Sequence, residues 1–520
     1  MKVRLSGFNL DIETISDLKN FIHRVATNLD DSFFNGLDPV TKNETLHQIY
    51  QEACELLARD NLTPETISAA YARISRNPKP VNELREIARQ EVDRARKSNQ
   101  NIIFGLGHSS VAEHATFNFD IIGASRFAVE TIEHFRLASY TEKSQRYILF
   151  EDDFVVPEEL KNTLLVKEYI SLIREQNRVY FQLYDILKPF FFEHHKVLAE
   201  DHKNHRMLEG LAKEDARYVI SLATQTQLGM TVNARTLENM IAKCNSHHLS
   251  EVNEYGRLLY EATKNFTPSI VKYVEPTSYL KNKRQNLLAY IRAPNNGFSE
   301  DDEPSPTVAL IDFSPDIDDK ILATVMFRLS GNSLDKCMDK IRLLSESEKE
   351  NFFKTIFRDM NSWDSVLREF ELSSFTFQLV VSASNYGQLK RHRMANLIIQ
   401  DYSPNLGVTI PESIVQTGQE KVFLKIIEKT NKLYWQLHKQ FPELAPYVLT
   451  NAHRRRVLFK INLRELYHFL RLREDRHAQW DIRKTAEDIH NIIRKEMIWA
   501  GALLGGKDQF SETYDNFFGR

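Results

Sequence analysis

Two polar clusters in this chain have residue types and spacing suited to gripping an anion. The first runs His134-Phe135-Arg136-Leu137-Ala138-Ser139-Tyr140-Thr141-Glu142-Lys143-Ser144-Gln145-Arg146-Tyr147. At its end a hydroxyl and a guanidinium stand two residues apart. In a loop, Ser144 and Arg146 can converge on one phosphate, the serine giving one directional bond and the arginine a bidentate pair. A solvated, charged loop is the competing reading. The second cluster is Arg391-His392-Arg393, followed by Met394-Ala395-Asn396. Three consecutive cationic or titratable side chains beside an apolar stretch suit an anionic ligand such as a dinucleotide pyrophosphate, and a charged helix end competes with that reading.

Other chemistries find less support. Gly105-Leu106-Gly107-His108 lacks the third glycine of a dinucleotide fingerprint, and no phosphate-binding GxxxxGK[ST] loop occurs. The pairs His194-His195 and His247-His248 have no acidic or cysteine partner at ligand spacing, so no metal site is expected. Cys54, Cys244 and Cys337 are the three cysteines and form no CxxC pair, which excludes a disulfide framework and a thiolate zinc site. Nothing adjacent in sequence would activate Cys244, which reads as structural.

These residues need elements to position them. Apolar residues recur at helical spacing over Asp11–Asn28, Asn43–Arg59, Pro80–Lys97, Leu160–Leu198 and Val422–His438. Strand-like runs are fewer: Thr116–Ile122, Val308–Phe313 and Phe375–Ser382. The expected class is therefore α/β or α+β and helix-rich. Pro, Gly and acidic residues between Arg292 and Pro306 mark a linker, giving expected domains 1–285 and 307–520 around a 286–306 connection. The two parts echo one another in order. Ala72-Arg73-Ile74-Ser75 recurs as Phe327-Arg328-Leu329-Ser330, and Thr116-Phe117-Asn118-Phe119 as Phe375-Thr376-Phe377. Val232-Asn233-Ala234-Arg235 recurs as Ile461-Asn462-Leu463-Arg464, with His248 and His477 at equal distance after each Asn. That order argues for two copies of one domain. Lys plus Arg total 68 against 71 Asp plus Glu, so no general nucleic-acid surface is indicated. A signal-peptide core and an apolar run of about 18 residues are both missing, which points to a cytoplasmic protein without a membrane partner.

Taken together, the motifs resemble the flavin-dependent thymidylate synthases, whose hallmark is an Arg-His-Arg triplet followed by Ser-x-Arg. Ala138 to Tyr147 looks like the second part, and Gly107-His108-Ser109-Ser110-Val111-Ala112-Glu113-His114 like the approach to it. Thr231-Val232-Asn233-Ala234-Arg235 and His477-Ala478-Gln479-Trp480 are also family-like. The resemblance implies two tandem copies of that family's domain. It also implies FAD as cofactor, with NADPH and methylenetetrahydrofolate as co-substrates, and conversion of dUMP to dTMP. Family enzymes are tetramers, so a homodimer of this doubled chain would imitate one. The implied flavin contacts are Ser110, Glu142, Asn233, Arg235 and Asn239 in the first half. In the second they are Arg391, His392, Arg393, Asn462, Arg464, His468 and His477.

Each half departs from the pattern where the other keeps it. The first has His134-Phe135-Arg136 in place of Arg-His-Arg, yet keeps Glu142, Ser144, Arg146 and Arg217. Cys244 stands where the family carries an arginine facing uracil. The second half keeps Gln388, Arg391 and that arginine, Arg473, but reads Asp401-Tyr402-Ser403 where Ser-x-Arg belongs, and Pro446 matches Arg217. The resemblance thus implies one composite pocket. Glu142, Ser144, Gln145, Arg146 and Arg217 would come from the first half, and Gln388, Arg391 and Arg473 from the second, with Ser144 and Arg473 closest to the chemistry. Alkylation of another pyrimidine, or a catalytically silent flavin- or nucleotide-binding protein, are the alternatives.

Overall fold

A computed structural model of the protein describes residues 1–28, 36–58, 61–146, 152–292 and 306–519. It divides into two compact units. One comprises 1–143, 154–161 and 225–298, and the other 144–153, 162–224 and 299–520. The division does not follow a single cut at the linker. Part of the first half, including Ser144, Arg146 and Arg217, belongs to the unit built on the second half. The expected linker overlaps the end of the helix Ser278–Ile291, and its residues 293–305 lie outside the described residues.

Both units are helix-rich around a small antiparallel sheet, as the α+β expectation required. The first unit holds β1 (Lys2–Phe8), β2 (Thr116–Ser125), β3 (Ala138–Glu142) and β4 (Gln225–Asn233) in the order β1-β2-β4-β3. The second holds β5 (Val308–Phe313), β6 (Ser374–Ser382), β7 (Asn396–Ile399) and β8 (Arg454–Asn462) in the order β5-β6-β8-β7. The same order twice confirms the duplication. Alternation sets the buried faces: Phe117, Phe119 and Ile121 point inward from β2, and Phe375, Phe377 and Leu379 from β6. In the second unit these pack with Val457, Phe459 and Ile461 of β8 and with Leu466, Leu470, Ile482 and Ile489 of the following helices. At about 1.5–3 kcal/mol for each large apolar side chain buried, this layer holds the sheet against its helices.

Capping repeats as faithfully as the strands. Ser125 and Ser382 end β2 and β6 and accept the amides of Ala128 and Asn385, starting the helices Arg126–Ile132 and Ala383–Leu389. Each cap serine also donates to a carboxylate in the first turn of another helix: Ser125 to Glu251 at 2.7 Å, Ser382 to Asp481 at 2.6 Å. Asn233 and Asn462 cap the helices Ala234–Asn245 and Leu463–Arg473 in the same way, accepting from Thr236 and Glu465. These matched caps put the two halves in register residue by residue.

Some expectations need correction. The helix expected over Pro80–Lys97 is two, Val81–Gln90 and Val92–Gln100, because Glu91 leaves the helical region at φ −122°, ψ 61°. Leu160–Leu198 shortens to Leu165–His194, which carries Pro189 inside it. The helical N-terminal segment is preceded by β1, which pairs with β2. Among the described residues no helix is long and apolar enough to cross a membrane.

Candidate anion-binding site

Within the second unit the chain gathers residues from both halves. The segment before β4 pairs with its counterpart before β8. Ser221 and Thr450 form an antiparallel bridge, Leu222 donates to Leu449 O at 2.8 Å, and Asn451 donates to Ile220 O at 2.9 Å. That pairing fixes Arg217, at the C-terminal end of the helix His205–Ala216. Its guanidinium donates to Ser384 Oγ at 2.8 Å, while its carbonyl accepts from Asn451 Nδ2 at 3.0 Å. The same amide nitrogen reaches Gln145 Oε1 at 3.0 Å, which ties down the Ser-x-Arg loop. In that loop Ser144 Oγ accepts the backbone amide of Arg146 at 3.1 Å, and the Arg146 guanidinium donates to buried Glu214.

The second half supplies Gln388, Arg391 and Arg473. Arg473 sits in the last turn of its helix, where the macrodipole favours a cation. Its Nε donates to His392 Nε2 at 2.9 Å, one terminal nitrogen to Gln388 Oε1 at 3.0 Å and the other to the Gln388 carbonyl at 3.4 Å. Three of the five N–H donors of a guanidinium are thus spent on posture, leaving a hydrogen on each terminal nitrogen for a ligand. Burial first, then the nearby charges of Arg391 and Arg146, lower the Arg473 pKa to about 10. Guanidinium groups from both halves are therefore within electrostatic range of each other in one chain. Crowded, half-buried cations are costly by themselves and are relieved by an anion between them.

Other candidate residues are placed differently. Glu142 lies in the first unit, where it is buried and accepts from Arg126. Asn233 and Asn462 serve as helix caps, Arg235 pairs with Glu113, and Arg464 donates to Glu371 Oε1 at 2.9 Å. Ser110, Asn239, Arg391, Arg393, His468 and His477 are exposed. His392 is buried and already held by Arg473.

The equivalent place in the first unit carries no such cluster. Phe135 sits in the position of His392, with the Lys243 ammonium 5.6 Å from its ring centre. Cys244 occupies the position of Arg473, is 1% exposed, and burial pushes its thiol up to about 12. A protonated, enclosed thiol is no nucleophile.

Sequence reasoning missed Glu214, Ser384, Asn451 and Glu465. Glu214 pairs with Arg146, 68 residues earlier, so no local spacing could have signalled it. His392, Glu465 and His468 are brought within 4.8 Å of one another. Because the donor Nε–H of Arg473 takes the His392 Nε2 lone pair, the imidazole hydrogen lies on Nδ1. That ring then offers no lone pair to a cation.

A family model described as "Thymidylate synthase complementing protein" matches the chain twice, at residues 55–269 and 309–497. A UPF0159 protein of Chlamydia pneumoniae is 26% identical over 78% of this chain and 79% of its own length. A flavin-dependent thymidylate synthase of Clostridium tetani is 28% identical over 41% of this chain and 83% of its own length. Among solved structures, a UMP/dUMP methylase from Streptomyces cacaoi bound with 5-Br dUMP is similar over 40% of this chain and 94% of that one. It is 19% identical, with a TM-score of 0.32.

Proposed function

Because the chain belongs to the thymidylate synthase complementing protein family, we propose that it is a flavin-dependent thymidylate synthase. It would convert dUMP to dTMP, with methylenetetrahydrofolate as carbon donor. The observation that carries this reading is the joining of Gln145 and Arg217 from the first half to Asn451 and Ser384 of the second, in the compact unit that also holds Arg146, Arg391 and Arg473.

In this reading Ser144, Arg146 and Arg217 hold the nucleotide phosphate by charge-assisted hydrogen bonds. Glu214 keeps the Arg146 guanidinium aimed before substrate arrives. Gln388 and Arg391 complete the opposite wall. Arg473 faces the uracil ring and stabilises the negative charge that grows there as C5 becomes the nucleophile. Its bonds to His392 and Gln388 set that orientation in advance, so little reorganisation accompanies the chemistry. FAD, reduced by NADPH, would supply the hydride. Arg391, Arg393, His468 and His477 in the second unit are the residues to hold it. A cytoplasmic homodimer completes the proposal.

Purified protein is expected to be yellow, to oxidise NADPH faster when dUMP is added, and to rescue growth of a thymidine auxotroph. Yellow protein indifferent to dUMP would favour alkylation of another pyrimidine. Colourless protein that binds dUMP without turnover would make it a silent binder.

A further inference from the structure

We propose that Glu465 is a positioning residue that acts through His392 to hold Arg473 in its working orientation. The inference rests on the reading of Arg473 as the group facing the pyrimidine. The chain of contacts is short. Arg473 Nε, which can only donate, meets His392 Nε2 at 2.9 Å. A neutral imidazole with an accepting Nε2 must carry its hydrogen on Nδ1. His392 is 3% exposed, and its Nδ1 makes no well-aligned hydrogen bond among the described residues. The nearest carboxylate oxygen is Glu465 Oε1, 3.4 Å away. The separation is already within hydrogen-bond reach, and a rotation of the carboxylate would align it as an N–H···O bond.

The ring is closely packed. Phe469 lies edge-on at 4.9 Å between centroids and His468 at 5.9 Å. Burial, then the charges of Arg473, His468 and Arg391, drive the His392 pKa well below its ordinary value and keep the ring neutral. Burial raises the Glu465 pKa above its ordinary value, with the charges of His468 and Arg464 opposing that rise without cancelling it; in either protonation state the side chain keeps an oxygen that can accept. Without the carboxylate, the hydrogen can move to Nε2, where it would confront the Arg473 Nε–H. Arg473 would then lose one of the bonds that set its direction.

The chain contains its own comparison. By the matched caps, Thr236 corresponds to Glu465, Phe135 to His392 and Cys244 to Arg473. Where the arginine is gone, the imidazole and the carboxylate are gone as well. The neighbouring positions whose side chains make no hydrogen bond to these three side chains, Asn233 and Asn462, Arg235 and Arg464, are retained. Three linked side chains present together in one half and absent together in the other are what a relay requires.

The test uses the full-length protein and two separate readouts. Imidazole 15N spectra of histidine-labelled protein, with His392 assigned from His392→Gln, should show the hydrogen on Nδ1. Glu465→Leu and Glu465→Thr should move it at least partly to Nε2, while Glu465→Gln, whose amide oxygen still accepts, should not. Turnover of dUMP should fall about tenfold in kcat for the Leu and Thr variants, with KM changed less, and stay within about threefold for Gln. Thr is the residue the first half tolerates at this helix position, which guards against a variant that fails to fold. An unchanged tautomer in both Leu and Thr variants overturns the proposal, and so does a changed tautomer with undiminished kcat. Wild-type protein that ignores dUMP but shows the Glu465-dependent tautomer sinks the thymidylate synthase reading and leaves the relay standing.

Discussion

Cys244 and Arg473 occupy equivalent positions, each in the last turns of the helix that follows an asparagine cap, and they show how one side chain changes what a site can do. The arginine is half-buried, charged and oriented by His392 and Gln388. The cysteine is sealed, and its thiol ionises only at about 12. At neutral pH the fraction present as thiolate is of the order of one in 100,000. Cys244→Ala should therefore leave turnover within about twofold and cost only the modest stability of a small buried side chain. Iodoacetamide treatment of native protein should likewise spare activity. A drop of tenfold or more in the alanine variant, with folding intact, would mean that a thiol takes part in the reaction after all. Arg473→Lys is the opposite case: an ammonium keeps the charge but cannot reproduce the fork shared between His392 and Gln388.

Two neighbouring segments of the second unit carry groups with opposed titrations. Asp215, beside Arg217, accepts from Ser413 at 2.6 Å and from Trp480 Nε1 at 2.8 Å, yet burial pushes its pKa up to about 7. His453, in the segment paired with Ser221, accepts the Thr450 amide at 2.9 Å, and burial holds its pKa down at about 3. For Asp215 the folded form binds the proton more tightly than the unfolded chain, so its contribution falls as pH rises from about 4 to about 7. For His453 the unfolded chain binds the proton more tightly, so its contribution is lost as pH drops from about 6.5 toward about 3. Each amounts to about 2 kcal/mol between pH 5 and pH 7, with opposite sign. Wild type should thus show little net slope from this pair. Asp215→Asn should gain on wild type by about 2 kcal/mol as pH rises across that interval, and His453→Gln should gain similarly as it falls. Trp363, Trp435, Trp480 and Trp499 all lie in the second unit, so tryptophan fluorescence during urea unfolding reads that unit alone. Parallel pH slopes in wild type and both variants would contradict the assignment. The same elements show what a sequence can and cannot disclose. β2 and β6 were legible because Phe117, Phe119 and Ile121, and Phe375, Phe377 and Leu379, recur at every second position. β8 was not, since it opens with Arg454-Arg455-Arg456. Its middle arginine is 2% exposed, 4.0 Å from the Tyr402 ring centre, with Nε bonded to Gln400 O at 2.8 Å. A cation buried by stacking and a backbone carbonyl breaks the rule that reads arginine as solvent-facing. Glu465 was hidden for a related reason: its partner His392 is distant in sequence, and only the fold joins them.

At the scale of the whole molecule, duplication has let two copies of one domain specialise, and the compact units show where the division of labour lands. Ser144, Arg146 and Arg217 descend from the copy that lost its Arg-His-Arg triplet, yet they belong to the same unit as Gln388, Arg391 and Arg473. If these residues form the proposed pocket, it is assembled inside a single chain and needs no second subunit to bring its two walls together. In that reading the chain is free to lose the redundant groups, whose places Phe135, Cys244 and Asp401 now hold. Mixing experiments follow from this arrangement. Arg146→Ala and Arg473→Ala should each lower kcat/KM for dUMP by about a hundredfold or more, because each removes a charged group from the same site. When the two inactive proteins are dissociated, mixed and reassociated, activity should stay at the level of the single variants. Every chain then carries a broken copy of its own pocket. Recovery toward one quarter to one half of wild-type turnover would show instead that the walls are exchanged between chains, and would move the working site to a subunit interface. Dimer formation must be verified in the same mixture, by mass, so that a failure to exchange subunits is not mistaken for assembly within one chain.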